Sequence, residues 1–77
     1  MKSVFSREYK NFLKLLIRKR RSAKMTQQNV ADILKKPQSF VSKYENGERR
    51  LDIVEFIKVA RSMGASPISI IKEIEKH

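Results

Sequence analysis

A chain of 77 residues without cysteine is the size of one small domain, able to bury only about 60% of its unfolded surface, and it has neither a disulfide framework nor a thiolate metal site. Its formal net charge of +10 calls for a polyanionic partner, nucleic acid before anionic membrane. The apolar run from Phe12 to Ile17 is interrupted by Lys14 and followed by Arg18-Lys19-Arg20-Arg21, so it is neither a secretory h-region nor close to the roughly 20 apolar residues that span a bilayer, and a cytoplasmic protein is expected.

Tyr9, Phe12, Leu13, Leu16 and Ile17 follow the spacing of one helix face, and Ser6 stands where an N-cap belongs, which predicts a first helix from Arg7 to Ser22. Thr26 is placed to cap a second helix through Leu34, with Val30, Ala31 and Leu34 inward; Asn29, where a capping box usually has Glu or Gln, predicts an incomplete box. Pro37 disfavours the α conformation at Lys36, so a third helix should start at Gln38 and run to Glu45. Asn46-Gly47 ends it, since both residues tolerate left-handed backbone angles. Asp52 and Glu55 then have capping-box spacing, and Ile53, Phe56, Ile57, Ala60 and Met63 predict a fourth helix stopped by Gly64. Ser66-Pro67 opens a fifth that ends near Glu75. The chain reads as all-α and as one domain over residues 1–77, without repeats or a long linker.

The run MTQQNVADILKKPQSFVSKYENGERR combines a small Ala31 at a helix crossing, Leu34 before a turn, inward Val41 and Tyr44, and a glutamine, Gln27 or Gln38, opening each of two helices. It resembles the helix-turn-helix of the Cro and phage-repressor (Xre-like) family, and the resemblance extends from about Tyr9 to Ile74. The resemblance implies a five-helix, lambda-repressor-like DNA-binding domain in which helices two and three form the motif and the third enters the major groove of double-stranded DNA. It further implies that Gln38 touches a base edge and that Gln27 contacts phosphate while bracing Gln38. The chemistry agrees, because a glutamine amide can bond adenine through N6 and N7.

Ser39 and Ser42 lie on the outward face of the third helix as candidate base contacts, with Lys43 beside them as a phosphate contact. Phe40 has two readings, against a thymine methyl or folded back over the core. By the same resemblance Asn46, Arg49 and Arg50 meet the DNA backbone, and Arg20 with Glu45 forms an ion pair tying the first helix to the third. Arg18, Lys19, Arg21 and Lys24 read as a solvated face that steers rather than contacts. Two positions depart from the family pattern. Lys35 stands where glycine is common, at a cost of about 1 kcal/mol if its backbone is left-handed, and Pro37 replaces the usual Ser or Thr.

No catalytic constellation is visible around the single histidine, His77, and Gly47 and Gly64 are both accounted for as helix stops, so no enzyme, cofactor or metal is expected. In the fifth helix Ile68, Ile70, Ile71 and Ile74 cover more circumference than one packed stripe needs; Ile70 and Ile74 are expected at a homodimer interface. The function expected is a transcriptional regulator, a repressor acting by operator occupancy. The antitoxin of a toxin partner or a restriction-modification controller would share the fold. A helical protein-interaction module would need an apolar hot spot where this chain is polar and cationic, and a membrane-surface protein would need the apolar face that the first helix commits to its core.

Overall fold

In the computed structural model, residues 6–76 are described; His77 and residues 1–5 lie outside them. Among the described residues five helices follow in order, α1 (Arg7–Ser22), α2 (Gln27–Leu34), α3 (Gln38–Glu45), α4 (Ile53–Ser62) and α5 (Pro67–Glu75). The starts of four are fixed by side-chain caps. Ser6 Oγ accepts from the Tyr9 amide at 3.1 Å, and Ser66 Oγ accepts from the Ser69 amide with Pro67 in the first turn. Asp52 and Glu55 close a reciprocal box at 2.7 and 3.0 Å. The box at α2 is also complete, contrary to expectation: Thr26 Oγ1 accepts from the Asn29 amide at 3.0 Å and the Thr26 amide donates to Asn29 Oδ1 at 2.9 Å. The shorter asparagine reaches its target, and each such cap contributes about 1 kcal/mol. At α3 the cap position is Pro37, which offers no side-chain acceptor.

Left-handed residues follow the first four helices: Lys24 (φ 57°), Lys35 (φ 58°), Gly47 (φ 86°) and Gly64 (φ 71°). Lys35 therefore takes the strained conformation considered from the sequence. It is held there by the Lys36 amide, which donates back to the Ala31 carbonyl at 3.0 Å, closing the last turn of α2. Asn46 does not share the left-handed role; its φ is −95°, and Gly47 alone makes the turn.

The core draws on every helix, with Leu15, Leu16, Val30, Ala31, Phe40, Val41, Tyr44, Phe56, Val59, Ala60, Met63 and Ile70 in one cluster. Phe12 meets Phe56 edge-on at 5.3 Å, joining α1 to α4. Two faces differ from expectation. On α4 the inward stripe is Phe56, Val59, Ala60 and Met63, and Ile53 and Ile57 are exposed. On α5 Pro67 and Ile70 are buried and Ile74 packs against the core, so Ile70 is removed from the surface and Ile74 is half-covered. The isoleucines that α5 presents to solvent are Ile68 (66% exposed) and Ile71 (41%). The i, i+3, i+7 series 67, 70, 74 is the one that points inward.

Candidate nucleic-acid interface

The turn Lys35-Lys36-Pro37 sets α3 against α2, and Ala31 and Val41, both fully buried, occupy the closely packed side of the pair. What remains outside on α3 is polar: Gln38, Ser39 and Lys43 are exposed and Ser42 is half-buried. The Ser42 hydroxyl donates to the Ser39 carbonyl at 3.3 Å, which leaves its oxygen as an acceptor.

A continuous chain of hydrogen bonds holds the start of α3. Arg20 forks onto Glu45, Nε to Oε2 at 2.7 Å and Nη2 to Oε1 at 3.1 Å, and its Nη1 donates to the Met25 carbonyl at 3.0 Å. The same carboxylate accepts from Gln27 Nε2 at 2.9 Å, and Gln27 Oε1 accepts from Gln38 Nε2 at 2.6 Å. The ion-paired side chains are only 11% and 6% exposed. Hydrogen bonds to the Glu45 carboxylate raise the Arg20 guanidinium above its ordinary pKa, against the opposing effect of burial. The pair expected from the sequence is therefore formed, and it is the anchor of a relay that runs through α2 to Gln38. After these bonds Gln38 keeps one amide hydrogen and its Oε1, the donor and acceptor that a purine edge requires, and Gln27 keeps one amide hydrogen.

Phe40 is not part of the outward face. It is 9% exposed, meets Tyr44 edge-on at 5.6 Å, and is flanked by Arg49 at 4.9 Å and Lys36 at 5.5 Å from the ring centre. Of its two readings, the core is the one realised, and Phe40 leaves the set of base contacts. Beside it, the Tyr44 hydroxyl is buried without a hydrogen-bond partner among the described residues, and burial pushes its pKa up.

The segment between α3 and α4 is braced from both sides. Asn46 Oδ1 accepts from the Glu48 amide at 3.3 Å. Arg49 forks onto Glu55 at 2.9 and 2.8 Å, Arg50 lies 4.3 Å from the Tyr9 ring centre, and the Leu51 amide donates to the Tyr9 hydroxyl at 3.0 Å. Hydrogen bonds from Arg49, then from the Asp52 backbone, hold the Glu55 carboxyl down at about 2. Asn46, Arg49 and Arg50 are all exposed on this braced loop. Tyr9 and Glu55 were not singled out as partners of the loop. Glu55 was visible only as a capping residue, and its six-residue separation from Arg49 follows no helical spacing. No helix among the described residues is long and apolar enough to cross a membrane.

Comparison with known proteins agrees with this geometry. A family model described as helix-turn-helix matches residues 16–70. A solved structure described as an XRE-family like protein from Pseudomonas syringae pv. tomato str. DC3000 is 43% identical, with 90% of this chain and 84% of that one covered and a TM-score of 0.88. No curated protein gives a significant match.

Proposed function

The chain belongs to the helix-turn-helix family of the Xre type and is a DNA-binding regulator; from that premise we propose that it represses transcription as a cytoplasmic homodimer, occupying an operator with α3 in the major groove. The observation that carries the reading is the Arg20–Glu45–Gln27–Gln38 relay, which holds an amide with one free donor and one free acceptor at the exposed start of α3. An amide fixed in advance loses little rotamer entropy on meeting a base, so the relay favours specificity.

Base reading falls to Gln38, with Ser39 and Ser42 beside it. Backbone contacts fall to the spare amide hydrogen of Gln27 and to Lys43, Asn46 and Arg50. Arg49, whose fork is committed to Glu55, adds positive potential rather than a bidentate clamp. Bound protein would then exclude polymerase from the same stretch of DNA.

Titration of duplex DNA over a range of salt tests the reading. The logarithm of affinity should fall linearly with the logarithm of salt, at a slope of about −0.9 per phosphate neutralised. Affinity that stays flat from low to moderate salt would overturn it.

A further inference from the structure

A second cationic surface runs along the outer side of α1. Arg7, Lys10, Lys14, Arg18 and Arg21 are spaced by three, four, four and three residues, and all are exposed. At 1.5 Å per residue they form a stripe about 21 Å long. The side chains through which α1 reaches its neighbours, Leu16 in the core and Arg20 on Glu45 of α3, lie on the other side of the helix; Lys14 is about 160° around from Leu16 at 100° per residue. The stripe therefore faces away from the contacts that tie α1 to α3.

Among the described residues no acidic side chain forms a salt bridge with this row: the pairs are Lys19–Glu73, Arg20–Glu45 and Arg49–Glu55. Glu73, which borders the same groove as Lys14 and Arg18, is paired with Lys19 at 3.3 Å. Like charges at i, i+3 and i, i+4 destabilise a helix by about 0.2–0.5 kcal/mol per pair. The negative end of the helix dipole rationalises Arg18 and Arg21 in the last turns of α1, but Arg7 and Lys10 stand at its positive end, where cations are disfavoured. A cationic row set against local helix energetics leaves its charge open to an anion from outside the molecule.

We propose that this face of α1 binds the phosphate backbone of a second DNA segment while α3 holds the first, so that one protein molecule can bridge two duplexes. The inference rests on the DNA-binding reading above. The row has no large, fully exposed apolar side chain to anchor a protein partner: Leu15 is buried and Ile17 half-buried at its margin. A charged row without such an anchor suits a uniform, sequence-blind polyanion, which the phosphate backbone is.

The test loads the full-length protein onto a bead-bound 20-base-pair duplex at low salt and then adds a fluorescent duplex of unrelated sequence. Wild type should capture the second duplex, and a K10Q/K14Q/R18Q variant should capture it about tenfold less well or worse, while still loading on the first. Circular dichroism confirms that the variant is helical, and single substitutions, K14Q and R18Q, should each give a partial loss. Wild type that loads but captures no second duplex would overturn the proposal and leave the DNA-binding reading intact, as would equal capture by the variant. Failure of wild type to load on any duplex would overturn both. If loaded wild type retained polyglutamate in place of the second duplex, the stripe would belong to an acidic protein and the proposal would be wrong.

Discussion

Gln38 and Lys43 sit on the same face of α3, but the proposed function gives them different failures. Gln38→Ala should relax preference at one base position per half-site, costing about 1–3 kcal/mol on the preferred base and little elsewhere. Lys43→Ala should weaken all sequences alike and lower the salt slope by about one unit. Randomised-site selection followed by affinities at two salt concentrations separates the two; an unchanged consensus for Gln38→Ala would move base reading to Ser39 and Ser42. Arg49 and Glu55 allow a prediction of another kind. Glu55 lies at about 2 against an ordinary 4.5, so its contribution to stability is present above the unfolded value and is lost as pH falls through that interval. The pair is partly solvent-exposed, which keeps the effect small. Arg49→Met should therefore lose less melting temperature than wild type between pH 5 and about 2.5, measured by thermal denaturation. A larger loss in the variant would contradict the pairing. At this scale the sequence revealed residue types better than partners: Arg20 with Glu45 and Gln27 with Gln38 were legible through a family pattern, whereas Arg49 with Glu55 and Leu51 with Tyr9 arise only once the loop closes.

Helices were legible because their signals are local. A cap such as Ser6 or Asp52 and a stop such as Gly64 act within one turn of the chain, and the expected bounds of the five helices agree with those formed to within one residue, α4 ending at Ser62 with Met63 as its cap. Facing was less legible where two apolar stripes compete. On α4, Ile53 and Ile57 fit a helical spacing with Phe56 and Ala60 as well as Val59 does, and the choice is made by α2 and α5, which both pack against α4. The turn between α2 and α3 shows local preference yielding to tertiary need. Lys35 is exposed and left-handed, a conformation that lets the Lys36 amide close the end of α2 on the Ala31 carbonyl before α3 begins. Lys35→Gly removes the steric cost of about 1–2 kcal/mol but adds unfolded-state entropy of about 0.5–1 kcal/mol, so a net gain of at most about 1.5 kcal/mol is expected. Each kcal/mol gained corresponds to a rise in Tm of about 4–8 °C for a domain of this size. Lys35→Ala, which keeps the Cβ, should give no comparable rise, and equal melting temperatures for the alanine and glycine variants would show that the turn is not strained.

Among the described residues six large aliphatic side chains remain exposed: Ile33, Ile53, Val54, Ile57, Ile68 and Ile71. Ile53 and Ile71 border a single groove with Tyr9, Phe12, Phe56 and Ile74, so α4 and α5 contribute to one apolar surface rather than to scattered positions. Ile57 extends it by one turn along α4 and Ile68 by one turn along α5. For the proposed homodimer this surface is the natural two-fold interface, because an operator with two half-sites requires the same patch on both copies to meet itself. Of the two residues expected at the interface from the fifth helix alone, Ile70 is buried completely, whereas Ile74 borders this groove. The two groups of side chains should therefore respond differently. Ile71→Lys or Ile53→Lys should leave a folded protein, since neither side chain is part of the buried core, but weaken cooperative binding to a two-half-site operator and shift sedimentation toward the monomer. Ile70→Lys should instead unfold the domain, because it places a charge in the core without a partner. Sedimentation of wild type as a monomer at high concentration, together with non-cooperative operator binding, would refute the homodimer and leave the apolar surface to a different protein.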